Sequence, residues 1–143
     1  MTSSSYHYPP LDYKCPDFPG LTWHVLDYPV TWQHSLYYMK DIWRFTVIWT
    51  LILFVSFHAG AALLAWIMHG SKRTAWKYMW AVPLVYCAVA AAQAVIAGSV
   101  VGVLLGAVYR SAYFYMSPWI PFIWGWINVL VILLSSFSIQ GGL

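Results

Sequence analysis

Residues Cys87 to Arg110 read CAVAAAQAVIAGSVVGVLLGAVYR. The stretch is apolar and carries small residues at a spacing of four: Ala90, Ala94, Gly98, Gly102 and Gly106. On a helix, residues four apart stack on nearly one face. The row covers about 24 Å of helix, most of a hydrocarbon core roughly 30 Å thick. No side-chain bulk stands on it, so another helix can bring its backbone close. In lipid, apolar burial gives helices little drive to associate, and such close packing is a main source of adhesion. The row drifts by about 40° per step, which suits a right-handed crossing of about −40°. The plain alternative is a generic apolar helix rich in Ala and Gly. Two overlapping GxxxG patterns, with two alanines in register, favour the packing face. Nothing on that face is catalytic.

The rest of the chain fits a membrane setting. Of 143 residues, 62% are hydrophobic, 20% aromatic and 8% charged, against roughly 25% charged in a soluble domain. No charged residue occurs from Thr46 to Met68, from Tyr78 to Tyr109, or from Ser111 to Leu143. Each run is long enough to cross a bilayer. The expectation is an all-α integral membrane three-helix bundle, with spans at about 42–68, 81–109 and 119–138. An aromatic- and proline-rich tail (1–41) precedes it and a short end (139–143) follows. The formal charge of +3 is too weak to argue for nucleic acid. Cys15 and Cys87 fall in the tail and in a span, so no bridge between them is expected. Residues 1–41 lack an apolar core segment, and Thr follows Met1, so neither a signal peptide nor N-myristoylation is expected. The SSFSIQGGL end is neither a prenylation box nor a KDEL-type signal.

Five prolines (Pro9, Pro10, Pro16, Pro19, Pro29) deny the tail long helices. Its rings, among them Tyr13, Phe18, Trp23 and Trp32, favour the headgroup zone. The tail is therefore expected on the membrane surface or on a partner. TWQHSLYYMKDIW, from Thr31, has the pattern of a short interfacial helix. In the first span, Trp43 and Trp66 mark the ends. His58, Ala61, Ala62 and Ala65 share a face expected to point into the bundle. Gly70 and Ser71 stop that helix. Pro83 and Pro121 fall in the first turns of the later spans, where a missing N–H does little harm. Lys72, Arg73 and Lys77 make the first loop positive, which favours a cytosolic loop and C-terminus with the tail on the luminal or outer side. Lys40, Arg44 and Arg110 near the opposite face weaken that assignment.

Each span has one strongly polar residue near mid-depth: His58, Gln93 and Asn128. A polar group in hydrocarbon needs a partner. The economical reading is that the three hydrogen-bond across the bundle. A partner's polar group, or a proton relay or ligand site, is the sharper alternative. No carboxylate lies within a span, which speaks against the relay. At the tail-side face, Asp41 and Arg44 open the first span where Tyr109 and Arg110 close the second. Arg110 there pairs with Asp41, holds a lipid headgroup phosphate, or simply snorkels. No HExxH, GxSxG, phosphate loop or Cys/His set at metal spacing is present. No catalytic residue, cofactor or metal is expected.

SFHAGAALLAW in the first span and GAVYRSA at the end of the second resemble the transmembrane protein 170 family. Matching positions are Phe57, His58, Gly60, Leu63, Leu64, Lys72, Arg73, Val108, Tyr109 and Arg110. The resemblance covers roughly residues 42–138. It implies a non-enzymatic endoplasmic reticulum and nuclear envelope protein that influences membrane shape, favouring sheets and supporting nuclear pore formation. It brings no catalytic residues. Two functions remain open on the sequence. One is organisation of that membrane through helix packing and self-association. The other is a small accessory subunit of a larger membrane enzyme or transporter, for example a polysaccharide synthase. In the second case the glycine row or the outer faces dock on the partner. The partners expected are the lipid bilayer, a second copy or a larger complex, and lipid headgroups.

Overall fold

A computed structural model describes residues 12–21, 34–69 and 80–140. The described chain is an all-α bundle of three helices: α1 (Met39–His69), α2 (Ala81–Ala112) and α3 (Trp119–Gln140). All three are long and apolar enough to cross a membrane. Their 31, 32 and 22 residues give lengths of roughly 46, 48 and 33 Å. The first two therefore exceed the hydrocarbon core and either tilt or project into the headgroups. Helix α1 begins three residues before the expected span, and α2 runs three residues beyond it. The basic loop with Gly70, Ser71, Lys72, Arg73 and Lys77 lies outside the described residues.

Helix α1 is the centre of the bundle. It packs along both neighbours, whereas α2 and α3 scarcely touch each other. Helix α2 is apolar all round, and its buried residues are Ala90, Ala94, Gly98, Gly102 and Gly106. The other positions of α2 are half-buried or exposed, so small size is what marks its inner face. The row runs antiparallel along α1. A Cβ at Gly98 would lie 3.0 Å from the Val47 backbone and 3.3 Å from Thr50 Cβ. One at Gly102 would lie 3.0 Å from the Trp43 backbone and 3.3 Å from Thr46 Cβ. One at Gly106 would meet the Met39 side chain at 2.7 Å. Farther along, Ala90 and Ala94 share a buried cluster with Leu53, Phe54 and Val129. The row thus meets the Met39–Phe54 half of α1. On the expected inward face at His58, Ala62 is buried, His58 half-buried, and Ala61 and Ala65 exposed.

Two threonines on α1 make the seam possible. Thr46 Oγ1 donates to the Ile42 carbonyl at 2.8 Å, and Thr50 Oγ1 to the Thr46 carbonyl at 2.7 Å. Their hydroxyls are satisfied within their own helix. Both residues are buried beside the glycines. On the other side of α1, a Cβ at Gly125 of α3 would lie 3.1 Å from Leu53 Cδ1 and 3.4 Å from the Thr50 nitrogen.

The described tail folds onto one end of this bundle. Leu36 and Met116 form an antiparallel bridge, with Leu36 N–H donating to Met116 O at 2.7 Å and Met116 N–H to Leu36 O at 3.0 Å. Both side chains are fully buried, in a cluster with Ile42 and Phe45. This bridge replaces the expected interfacial helix over residues 34–38, while 39–43 are helical as the start of α1; residues 31–33 lie outside the described set. Phe18 packs edge-on against Phe45 at 5.6 Å and tilted against Trp49 at 5.1 Å. Tyr13 Oη donates to the Ser35 carbonyl at 2.9 Å and accepts from the Tyr37 N–H at 3.1 Å. Gly20 holds φ +62, a left-handed turn that favours glycine, close to Phe45 and Pro118. The other expected tail anchors, including Trp23 and Trp32, lie outside the described residues. The Tyr113–Pro118 connection joins the same end. Its Tyr113 sits at φ 56 as the C-cap of α2, its N–H turned to the Arg110 and Tyr109 carbonyls.

Substituting alanine along the seam separates backbone crowding from side-chain crowding. Gly98→Ala and Gly102→Ala press a methyl on α1 backbone and should each cost about 1–3 kcal/mol of bundle stability. Gly106→Ala meets Met39 Cγ at 2.7 Å, with the Met39 backbone no closer than 3.5 Å, so the side chain can turn away and the cost should be less; Gly60→Ala, with open space beyond it, should cost nothing. Thermal unfolding in mild detergent gives the order.

Candidate functional site

The residues with chemistry lie at two depths, in the middle of the bundle and at its tail-side end. At mid-depth the three polar residues do not converge. A carbonyl only accepts, so the His58 imidazole carries its proton on Nδ1 and donates to Phe54 O of its own helix at 2.9 Å. Its ring stacks on Phe54 at 6.3 Å and lies 6.5 Å from Tyr86. Asn128 Nδ2 donates to Thr50 Oγ1 at 3.5 Å, a long bond between α3 and α1. Gln93 Oε1 is buried and accepts no hydrogen bond among the described residues. No bond joins any two of the three. An acceptor four residues back in the same helix is always within reach, and His58 takes it. The expected His58–Gln93–Asn128 network is therefore replaced by one intrahelical bond, one α1–α3 bond and one unsatisfied carbonyl.

Aromatic rings fill the α1–α3 side. Trp49 lies 4.8 Å from Phe122, and Phe57 lies 5.8 Å from Trp126. At the far end, Trp66 and Trp80 meet at 6.2 Å, at the depth where amphipathic rings anchor a span.

At the tail-side end, the four expected interface residues divide between two faces. Asp41 turns to the tail and raises the pKa of the Cys15 thiol; no ion pair with Arg110 is present among the described residues. Tyr109 packs into the cluster of Leu36, Ile42, Phe45 and Met116. Arg44 is exposed and close enough to Cys15 to act on it electrostatically. Arg110 lies on the other side of α1, in an open groove of about 500 Å³ with Tyr38, Met39, Lys40, Trp43 and Val103. Burial pushes the Cys15 thiol up from its ordinary value near 9 to about 11, and the Asp41 carboxylate adds to the rise. Burial likewise raises the Tyr13 hydroxyl to about 12, against the lowering effect of the Tyr37 N–H. Among the described residues, no three His, Cys, Asp or Glu side chains group as a metal site.

A family model for transmembrane protein 170A/B-like proteins matches residues 35–143. The chain belongs to the transmembrane protein 170A/B-like family. The match begins one residue before Leu36, so it takes in the bridge to Met116 as well as all three helices. The uncharacterized protein YPR153W of Saccharomyces cerevisiae is 33% identical over 133 residues, covering 92% of this chain and 91% of the yeast protein. That likeness is longer than the family-model match and extends into the tail. No solved structure matches the chain. Within this family chain, the residues that the sequence reading misses are Thr46, Thr50, Leu36 and Met116, and it does not join Lys40 to Arg110. Thr46 and Thr50 carry a usable signal, since they repeat at the spacing of the glycines they meet.

The docked tail makes a pH-dependent prediction. A thiol whose pKa is raised on folding keeps its proton longer in the folded state, so its docking holds below pH 9 and weakens as pH rises towards 11. Cys15 should react slowly with a soluble maleimide near neutral pH. Asp41→Asn should speed the reaction by up to roughly tenfold, the effect of a one-unit fall in pKa. An unchanged rate would place the carboxylate away from the thiol.

Proposed function

We propose that the chain is a non-enzymatic membrane-organising protein of the endoplasmic reticulum and nuclear envelope. Family membership supports the class of protein. The observation that carries a mechanism is the collar at one end of the bundle. There residues 12–21, the Leu36–Met116 bridge and the 113–118 connection wrap α1 and α3 with buried aromatic contacts. Such a collar widens the protein at one headgroup level. A rigid body wider in one leaflet than the other biases the curvature of the bilayer around it. The basic first loop supports a cytosolic position for that loop and the C-terminus, and on this reading the collar is luminal.

This reading changes how the chain meets other molecules. The glycine row is occupied by α1 within one chain, so association with a second copy must use another face. One observation favours the second reading, an accessory subunit of a larger membrane complex. Gly60 of α1, inside the SFHAG segment, has nothing within 4 Å of the position of a Cβ. A partner helix could approach closely there.

Reconstitution separates the two readings. The purified full chain, placed alone in phosphatidylcholine vesicles, should shift their size distribution. The Phe18→Ala, Tyr13→Phe double variant, with a loosened collar, should shift it less. Vesicles unchanged by the wild-type chain would refute the first reading. Recovery from its native membrane with a stoichiometric large partner, lost on Gly60→Leu, would then establish the second.

A further inference from the structure

We propose that the groove between the first turn of α1 and the last turns of α2 binds the phosphate of an anionic phospholipid, with Lys40 and Arg110 as its cationic contacts. The inference is independent of the membrane-organising role. Lys40 and Arg110 line the same open groove, of about 500 Å³, and among the described residues no carboxylate lines it with them. Asp41 follows Lys40 directly, but adjacent residues on a helix point about 100° apart. Its charge acts on Cys15 on the tail side. Two cations thus face one space without an anion between them, an arrangement that a bound anion relieves.

The walls specify what kind of anion. Tyr38 and Trp43 are amphipathic rings of the type that sits at the headgroup level. Met39 and Val103 make the remaining surface apolar. Below the groove, α2 exposes Val103, Leu104, Val100 and Ile96 towards lipid. A free phosphate would use only the two charges. A phospholipid would also lay its acyl chains along that surface. The helix ends do not decide the matter: the positive N-terminus of α1 and the negative C-terminus of α2 both reach this level and largely offset each other. The two side chains therefore supply the selectivity. They favour a headgroup of net negative charge over phosphatidylcholine, whose own cation opposes them.

Native mass spectrometry of the full chain tests this, after release from nanodiscs of phosphatidylcholine with a minority of phosphatidic acid. The wild-type chain should retain phosphatidic acid in preference to phosphatidylcholine. Lys40→Gln with Arg110→Gln should reduce that preference by roughly tenfold or more, as expected for two cations at a lipid surface. Lys14→Gln removes an exposed cation of the tail outside the groove and should leave the preference intact. Both groove side chains are exposed, so the melting temperature of the double variant should match wild type. If it falls, the charge-keeping variant Lys40→Arg with Arg110→Lys decides, and must retain the lipid. Equal loss on Lys14→Gln, no preference in the wild type, or displacement of the lipid by inorganic phosphate would each overturn the proposal.

Discussion

The bundle depends on the close approach of helix backbones at glycine, and Thr50 is where two such approaches meet. Gly98 of α2 comes down on one side of it and Gly125 of α3 lies against its backbone nitrogen on another. Asn128 adds its long hydrogen bond to the same hydroxyl. In water a three-helix protein would hide its large apolar side chains. Here Leu64, Ile67, Leu84, Ile96 and Phe137 face outward, because lipid is as good an environment for them as protein. Adhesion must come from fit, and fit is closest where a Cβ is missing. That is why α1, flanked by glycines from both neighbours, is central, and why α2 and α3 need little contact with each other.

The seam leaves the charged ends free to do other things. Antiparallel register brings the start of α1 beside the end of α2, and the same bundle end receives the tail. On one side the tail closes over Ile42, Phe45 and Met116, with Asp41 turned to Cys15. On the other side, Lys40 and Arg110 share an open groove. Residues next to each other in sequence thereby serve opposite faces. Among the described residues, this end of the bundle is thus asymmetric around its circumference.

Much of this was legible in the sequence, for physical reasons. Charge-free runs set the spans, since a charge in hydrocarbon is expensive. The row from Ala90 to Gly106 stood out because, on a helix apolar all round, size is the only contrast left. Its mate was harder to see. Thr46 and Thr50 look polar, yet each bonds back to its own helix, and what they offer α2 is a compact buried surface. The pairing of Leu36 with Met116 spans most of the chain and has no periodicity to announce it. His58 misled because its polar character suggested a partner on another helix, when the Phe54 carbonyl lay within reach. The division of Asp41 from Arg110 follows from the rotation of α1 relative to α2, which spacing along one helix does not contain.

The central claim is that the small-residue row joins α1 and α2 within one chain. Cross-linking tests it most directly. Trp43→Cys and Val103→Cys, introduced together with Cys15→Ser and Cys87→Ser, place two exposed thiols on the walls of one groove across the seam. With a short bis-maleimide in native-like bilayers, the account predicts a cross-link within a single chain, migrating as a compact monomer. Cross-linked dimers with no internal product would contradict it, and would assign the glycine row to association between copies.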